Sequence, residues 1–124
     1  MGFTLGAKSL SKLDGVHPDL VAVVERAIEL TEQDFTVLEG LRDIDRQREL
    51  VRTGKSTTMN SRHLTGHAVD IAPWPISWDW DYFYPIADAM KQAAEELNIS
   101  LEWGGDWKSF PDGPHYQLSR KVYP

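Results

Sequence analysis

Apolar residues recur at helical spacing in two stretches of the chain, and they predict its two longest helices. The first stretch begins at Pro18 and runs to about Thr31. Its apolar positions return every three or four residues, as one face of a helix requires: Leu20, Val21, Val24, Ala27, Ile28 and Leu30. The second stretch runs from Phe83 to Leu97 and predicts the longest helix. Its apolar side consists of Ile86, Ala89, Met90, Ala93, Ala94 and Leu97.

Residues that favour helix ends add a third helix and delimit two irregular segments. Asp43 is a suitable N-cap for a helix from Ile44 to about Arg52. His17, just before the first helix, is expected to be a cap or a surface residue. Residues 9–16 are polar and are expected to form turns, whereas residues 55–60 are small and polar and are expected to form an exposed, mobile loop.

Four shorter stretches predict β-strands. Phe35 to Glu39 alternates and is rich in apolar and β-branched residues, and residues 67–72 show a similar pattern. Leu101 to Trp103 and His115 to Leu118 are brief apolar stretches near the end of the chain. Because helices and short strands follow each other without a regular βαβ period, the sequence predicts an α+β fold with a small antiparallel sheet and flanking helices.

Composition and charge narrow the class of protein. A length of 124 residues fits one domain, expected over residues 1–124. The net charge of -6 argues against a nucleic-acid partner, because phosphate binding requires a surplus of lysine and arginine. The first residues lack the pattern of a signal peptide, and no stretch has the length of a membrane span. We therefore expect a monomer made in the cytoplasm, without membrane insertion, which another protein must release if its substrate lies outside.

Two stretches carry candidate metal ligands. Residues 61–70, Ser-Arg-His-Leu-Thr-Gly-His-Ala-Val-Asp, place a histidine seven positions before an aspartate, across a glycine turn. Near the other end, Asp112 stands three positions before His115. Because the chain has no cysteine, any metal must be held by His, Asp or Glu. Two histidines and one carboxylate leave the fourth position of a tetrahedral zinc ion open, which is the arrangement of catalytic zinc sites.

The two-residue period of a strand decides which histidine accompanies Asp70. If residues 67–72 form a regular strand, Asp70 shares its face with Ala68 and Ala72, and His67 lies on the opposite face. The small alanines leave room beside Asp70 for a metal and its substrate. His67 is therefore not expected to be a ligand.

The expected ligands are His63, Asp70 and His115. His63 precedes the glycine turn and can fold back towards Asp70, and His115 is the third ligand. Asp112 lies in a Pro-Asp-Gly-Pro turn, from which its carboxylate can reach a water on the metal without being a ligand. The alternative is that Asp70 is a turn or salt-bridge residue and that both histidines are solvated.

These stretches resemble a known family of zinc peptidases. Residues 61–70 match the Ser-x-His-x-x-Gly-x-Ala-x-Asp motif of the family that includes D-alanyl-D-alanine carboxypeptidases, D-Ala-D-Ala dipeptidases and phage L-alanyl-D-glutamate endopeptidases. Asp112-x-x-His115 is similar to the second motif of that family. Residues 103–110, Trp-Gly-Gly-Asp-Trp-Lys-Ser-Phe, with the Pro-His-Tyr-Gln that follows, resemble the endopeptidase branch in particular. The resemblance extends from about Gly40 to Leu118.

The resemblance implies a fold, a cofactor and the roles of several residues. The fold is the small α+β Hedgehog/DD-peptidase type, and the catalytic Zn²⁺ is held by the residues that match His63, Asp70 and His115. The catalytic base corresponds to Asp112. Arg42 matches the arginine that follows the second strand of these enzymes, so it is expected to act in catalysis; the alternative is a surface salt bridge.

Four further residues are expected near the substrate. Ser61 is expected to form hydrogen bonds near the metal or the substrate. Trp103, Asp106 and Trp107 are candidates for the lining of a substrate groove, although tryptophans in a small domain also serve as core residues. Asp106 is a further candidate for orienting a ligand histidine.

The substrate class also follows from the resemblance. The family acts on peptidoglycan stem peptides, which are rich in carboxylates, so a protein of charge -6 needs a locally basic cleft; Arg42, Arg62 and Lys108 are the candidates. We expect a phage or prophage endolysin that cuts the L-Ala-D-Glu bond, or a nearby stem-peptide bond, of the periplasmic cell wall, as one catalytic domain without a wall-binding module. The alternatives are a D,D-carboxypeptidase or dipeptidase of cell-wall metabolism and a non-catalytic binding domain.

Overall fold

The computed structural model describes residues 2–124 and contains four α-helices and one four-stranded antiparallel sheet. The helices are α1 (Ala7–Lys12), α2 (Pro18–Leu30), α3 (Ile44–Arg52) and α4 (Phe83–Leu97). The strands are β1 (Phe35–Glu39), β2 (Ala68–Pro73), β3 (Leu101–Trp103) and β4 (His115–Leu118). Three short 3₁₀ helices lie at Arg62–Thr65, Trp80–Tyr82 and Gly104–Asp106. The predicted α+β class with a small antiparallel sheet is confirmed.

The strand order β1-β2-β4-β3 brings the two predicted motifs side by side. Strand β2 pairs with β4 so that Asp70 lies opposite His115, although 45 residues separate them in the chain. Strand β1 covers the other edge of β2, and its register shifts between Val37 and Glu39. The pairing therefore assembles the candidate site from opposite ends of the sequence.

Alternation along β2 and β4 separates a core face from a polar face. Val69, Ile71, Tyr116 and Leu118 are buried in the main apolar cluster, which also contains the inner sides of α2 and α4. The intervening positions of β2 and β4 point to the opposite face of the sheet. The core thus fixes the strands on which the polar groups stand.

Helix α1 replaces the turns that were expected over residues 9–12, where that prediction is wrong, whereas residues 13–16 form a turn as expected. Ser9 is buried, and its hydroxyl contacts the hydroxyl of Thr36 at 3.1 Å and accepts a hydrogen bond from Val37 N at 2.9 Å. These contacts with β1 stabilise a six-residue helix that has no marked amphipathic pattern of its own. The helix owes its position to tertiary contacts, which local pattern does not reveal.

Two predicted caps are confirmed. Asp43 Oδ1 accepts a hydrogen bond from Arg46 N at 2.8 Å and begins α3, and His17 Nδ1 accepts one from Asp19 N at 3.0 Å and begins α2. In the described part of the chain, no helix has both the length and the apolar character needed to span a bilayer.

Candidate metal centre and catalytic cleft

A glycine turn brings His63 back over the sheet. His63 lies in the 3₁₀ helix before the turn, where its backbone N–H donates to Ser61 Oγ at 3.2 Å. Gly66 ends this helix at φ 74°, and a Cβ at this position would lie 2.5 Å from Gly15 O. Both the backbone conformation and the close approach require glycine here. The chain therefore reverses into β2 with His63 facing Asp70, as the sequence predicted.

Three side chains converge at the end of this turn. Asp70 Oδ1 lies 3.2 Å from His63 Nε2 and 3.2 Å from His115 Nδ1. One donor atom from each of the three residues lies within 4.8 Å of the others, and His63 and His115 are buried. The described residues thus contain a compact donor group that can hold a metal ion.

The hydrogen bonds outside this group decide which way each imidazole presents its lone pair. His63 Nδ1 lies 2.8 Å from Gly40 O, which can only accept, so Nδ1 carries the hydrogen. His115 Nε2 lies 2.8 Å from Gln117 Oε1, so Nε2 likewise carries the hydrogen. When neutral, both rings therefore aim a lone pair at the same oxygen of Asp70. Such a cluster of acceptors requires a cation between them, either protons or a metal ion.

The spacing and charge of the donors fit zinc. Zn–N and Zn–O bonds of about 2.0–2.1 Å in a tetrahedron separate neighbouring ligand atoms by about 3.3 Å. The two N–O separations of 3.2 Å agree with this value. Two neutral imidazoles and one carboxylate offer a borderline-soft dication its preferred ligands and leave one position for substrate.

The pKa values of the protein without metal reflect the same close contact. Burial acts to raise the pKa of Asp70, but hydrogen bonds from His115 and His63 outweigh it and hold that pKa below its usual value. Burial acts to lower the pKa of His115, but the hydrogen bond and the charge of Asp70 raise it. The carboxylate is therefore ionised at neutral pH and available to a cation.

Asp112 lies beside this group on a tightly packed turn. Its backbone N–H donates to Gly104 O at 2.9 Å, and His115 N donates to Asp112 O at 3.2 Å. A Cβ on Gly104 would lie 2.5 Å from Asp112 O and 3.1 Å from His115 Cβ, so this turn packs directly on the backbone after β3. Partial burial raises the pKa of Asp112, and the negative charge of Asp70 adds to the rise. A carboxyl with a raised pKa suits proton transfer.

A cleft of about 880 Å³ opens above these four side chains. Arg42 borders it, and its guanidinium forms an ion pair with Glu39 through Nε and donates from Nη1 to Gln47 Oε1 at 2.7 Å. The backbone N–H of Arg42 donates to His63 O at 2.9 Å. The alternative of a surface salt bridge with Asp43 or Asp45 is not what the structure shows, because the ion pair is with Glu39. Arg42 is thus held by Glu39, Gln47 and the backbone of His63 at the border of the cleft, beside the candidate metal ligands.

Sequence reasoning missed two glutamines at this site. Gln117 accepts from the outer nitrogen of His115, and it lies two positions away on the same strand face. Gln47 is fully buried and connects Arg42 to the loop that follows α3, because its Nε2 donates to Ser56 Oγ at 2.9 Å and to Thr58 O at 2.5 Å. The alternation of β4 could have indicated Gln117, but no sequence signal indicated Gln47.

The predicted substrate residues divide into two groups. Ser61 and Trp107 line the cleft, and the Trp107 ring lies 5.2 Å from that of His115. Trp103 is instead buried, where its Nε1 donates to Gly113 O at 2.7 Å. Asp106 forms an ion pair with Lys91 at 2.8 Å outside the cleft, so it does not contact a ligand histidine.

The structure also tests the predictions made for His67, Arg62 and Lys108. His67 lies outside the donor group, with its Nδ1 2.7 Å from Thr65 Oγ1, as strand alternation predicted. Arg62 borders the cleft, but its guanidinium donates to Leu118 O at 3.1 Å and to Tyr123 O at 2.5 Å, and Lys108 does not line the cleft. Neither is placed to supply the basic character expected of it.

The fold and this arrangement define a class of protein. Two imidazoles and a carboxylate converge on one point, and a further carboxyl stands beside them in an open cleft. This is the arrangement of a metallopeptidase on a small α+β domain.

Comparison with known proteins identifies the family. The model of the phage L-alanyl-D-glutamate peptidase family matches residues 1–123. The chain is 35% identical over 130 residues to the L-alanyl-D-glutamate peptidase of Escherichia phage T5, with 99% of this chain and 94% of that protein covered. It is 31% identical over 101 residues to the peptidoglycan L-alanyl-D-glutamate endopeptidase CwlK of Bacillus subtilis (strain 168), with 68% and 60% covered. The crystal structure of the Serratia marcescens L-Ala D-Glu endopeptidase ChiX matches with a TM-score of 0.93 at 52% identity, covering 100% of this chain and 94% of that one. The chain belongs to the phage L-alanyl-D-glutamate peptidase family.

Proposed function

We propose that this protein is a zinc-dependent endopeptidase that cuts the L-Ala-D-Glu bond of peptidoglycan stem peptides during phage or prophage lysis. The observation that carries the proposal is the convergence of His63, Asp70 and His115 in a cleft that Asp112 also borders. Membership of the L-alanyl-D-glutamate peptidase family supports the choice of bond.

Zinc held by His63, Asp70 and His115 would polarise the scissile carbonyl and make water a competent nucleophile at neutral pH. Asp112 accepts a proton from the attacking water and returns it to the leaving amine nitrogen. Its raised pKa suits the first transfer, because a stronger base takes a proton more readily.

Arg42 would stabilise the negative charge that develops on the carbonyl oxygen. Its Nε and Nη1 are held by Glu39 and Gln47, so the guanidinium is oriented before substrate arrives. Preorganised donors of this kind contribute about 3 kcal/mol to transition-state stability in other hydrolases.

The site of action follows from the substrate. An enzyme of this specificity acts on the periplasmic cell wall after release from the host cytoplasm. We further propose that residues 1–124 act as one catalytic domain, because helices and strands from both halves of the chain share a single apolar core. A D,D-carboxypeptidase or dipeptidase remains the second candidate from the sequence, and family membership favours the endopeptidase.

Digestion of purified peptidoglycan tests the proposal. Mass analysis of the products should show new amino termini at D-Glu and new carboxyl termini at L-Ala. Release of D-Ala or of D-Ala-D-Ala instead would show that the carboxypeptidase or dipeptidase assignment is correct. Intact stem peptides after treatment with the zinc-loaded protein would leave the enzyme proposal without support.

A further inference from the structure

The cleft contains three basic side chains that the proposed mechanism does not use. Arg46 lies on α3, Lys55 follows its end, and Arg120 follows β4. All three are exposed, and within residues 2–124 none of them forms an ion pair. By contrast, Arg48 and Arg52 on the same helix pair with Asp45 and Glu49. We call Arg46, Lys55 and Arg120 the cationic wall.

Among the described residues, none of the carboxylates that border the cleft forms an ion pair with this wall. Glu39 is paired with Arg42, Asp70 contacts both ligand histidines, and Asp112 stands next to the donor group. The whole chain nevertheless carries a net charge of -6. Unpaired positive charge that gathers in the substrate cleft of an acidic protein indicates an anionic ligand.

Local structure holds the wall at the edge of the cleft. Lys55 N donates to Leu50 O at 2.9 Å, which fixes the chain directly after α3. Gln47 anchors the next residues through Ser56 Oγ and Thr58 O. Arg120 Nη2 donates to Asn60 O at 3.0 Å, so the end of β4 joins the same loop. These hydrogen bonds join the loop that carries Lys55 to α3 and to the end of β4 at the edge of the cleft.

The substrate of the proposed function carries a matching group close to the scissile bond. The glutamyl residue on the amine side of that bond has two carboxyl groups, and at most one of them continues the peptide. A free carboxylate therefore remains a few bonds from the amide that is cut. Resting on the proposed function, we propose that the cationic wall binds this carboxylate and makes the enzyme selective for anionic stem peptides.

Paired peptides and paired variants test the wall. The first peptide contains L-Ala-D-Glu with its free carboxylate, and the second differs only in having this group converted to the carboxamide. The parent enzyme should show a KM about tenfold lower for the carboxylate peptide, since hydrogen bonds to charged groups contribute about 1.5–3 kcal/mol. Arg46→Gln and Lys55→Gln should each remove most of that preference, and kcat should change less than about twofold.

Arg48→Gln is the matched control. It removes the same charge from the same helix, but Arg48 pairs with Asp45 and does not line the cleft. It should leave both KM values unchanged. If Arg48→Gln raises the KM of the carboxylate peptide as much as Arg46→Gln does, the effect belongs to net charge and the wall is refuted.

A binding measurement separates this inference from the proposed function. The variant Asp112→Asn should bind both peptides without cleaving them, so calorimetry can report the carboxylate preference directly. Preference in binding without cleavage by the parent enzyme would refute the assigned bond and support the wall. Equal KM and equal affinity for the two peptides, with normal cleavage, would refute the wall and leave the proposed function intact.

Discussion

The two candidate ligand histidines present different nitrogens to the site, and each is oriented by a different kind of acceptor. His63 presents Nε2 and is fixed through Nδ1 by the backbone of Gly40. His115 presents Nδ1 and is fixed through Nε2 by the side chain of Gln117. The backbone carbonyl of Gly40 cannot be removed by substitution, whereas the side-chain carbonyl of Gln117 can. Gln117 is therefore the residue at which the orientation of a ligand is open to a direct test.

Gln117→Leu should weaken zinc binding by about 10–100-fold, because the outer partner of a ligand histidine fixes its ring and raises its basicity. Activity should return at saturating zinc, since the three ligands remain. Gln117→Glu keeps an acceptor at the same position and should bind zinc about as well as the parent. Competition with a chelator of known affinity measures all three proteins. Equal affinity in the leucine variant would show that Gln117 does not orient His115.

Asp112→Asn and His115→Ala separate proton transfer from metal binding. The asparagine variant should keep a full equivalent of zinc and lose about 10²–10⁴-fold in kcat, because it cannot accept the proton. The alanine variant should lose both metal and activity, because it removes one of three ligands. Metal content by mass spectrometry beside the rate of stem-peptide cleavage gives the two readouts. Substantial turnover by Asp112→Asn would remove Asp112 from the mechanism.

Residue by residue, the site was predictable where chain geometry forces a choice. The two-residue period of β2 separated Asp70 from His67, and the structure brings Asp70 and not His67 into the donor group. Gln47 was not predictable, because its burial and its three partners arise from the packing of α3 against two other segments. Nothing in the local sequence distinguishes a buried, hydrogen-bonded glutamine in a polar helix from one that is exposed to solvent.

At the scale of elements, the connection from β3 to β4 determines where Asp112 stands. Gly104 lies under the turn that carries Asp112 and His115, and the space for a side chain there is already filled. The three-residue spacing from Asp112 to His115 therefore brings both side chains to the site only because Gly104 lets the turn pack closely. This dependence predicts a large effect from a single methyl group.

Gly104→Ala should destabilise the fold by about 1–3 kcal/mol and lower kcat, because the new methyl group must displace the backbone of Asp112. Gly6→Ala is the control, since a Cβ there meets no atom within 4 Å and its φ is -75°. The control should change the free energy of unfolding by less than about 1 kcal/mol, the cost of alanine at the N-cap of α1, and it should leave kcat unchanged. Urea unfolding and peptide cleavage measure both variants. Equal stability and equal kcat in the two proteins would contradict the role assigned to Gly104.

The bounds of helices with a strong apolar period were predictable to within a residue or two. Helix α1, which lacks such a period, was not predicted. Helices α2 and α4 follow the periods read from the chain. Helix α1 was missed because Ser9, its buried residue, is polar and gains its partners from β1. A helix of six residues is too short to be stable by propensity, so its existence depends on contacts that no local window contains.

At the scale of the whole molecule, the net charge is negative, whereas unpaired basic side chains gather at the cleft. The composition of -6 led to the expectation that Arg42, Arg62 and Lys108 would supply local basic character. In the structure Arg42 does border the cleft, but Arg62 is buried and donates to two backbone carbonyls. Arg46, Lys55 and Arg120 stand there instead, because α3 and the end of β4 meet at the rim. Which cations share a cleft is a property of topology, and composition does not contain it.

The metal site also joins distant parts of the fold, so zinc should stabilise the whole domain. His63 and Asp70 lie on either side of the Gly66 turn, whereas His115 lies on the last strand. Unfolding would separate His115 from the other two. Free zinc at 100 times its Kd should therefore add about 2.7 kcal/mol to the free energy of unfolding. For a domain of this size, that corresponds to a rise in Tm of about 10 °C.

The rise in Tm on zinc binding should depend on pH and on the residues that hold the metal. Zinc binds neutral imidazoles and displaces their protons, and the pKa of His115 is raised by Asp70 in the protein without metal. The stabilisation should therefore be full only above the usual histidine pKa of about 6.5, and it should shrink as the pH falls through the raised pKa of His115. His63→Ala should abolish the response to zinc, whereas His67→Ala should keep it, because His67 lies outside the donor group and contacts Thr65 instead. Thermal unfolding by circular dichroism, with and without zinc, measures the shift. A zinc response that survives in His63→Ala and disappears in His67→Ala would place the metal on the wrong face of the sheet for Asp112 to act.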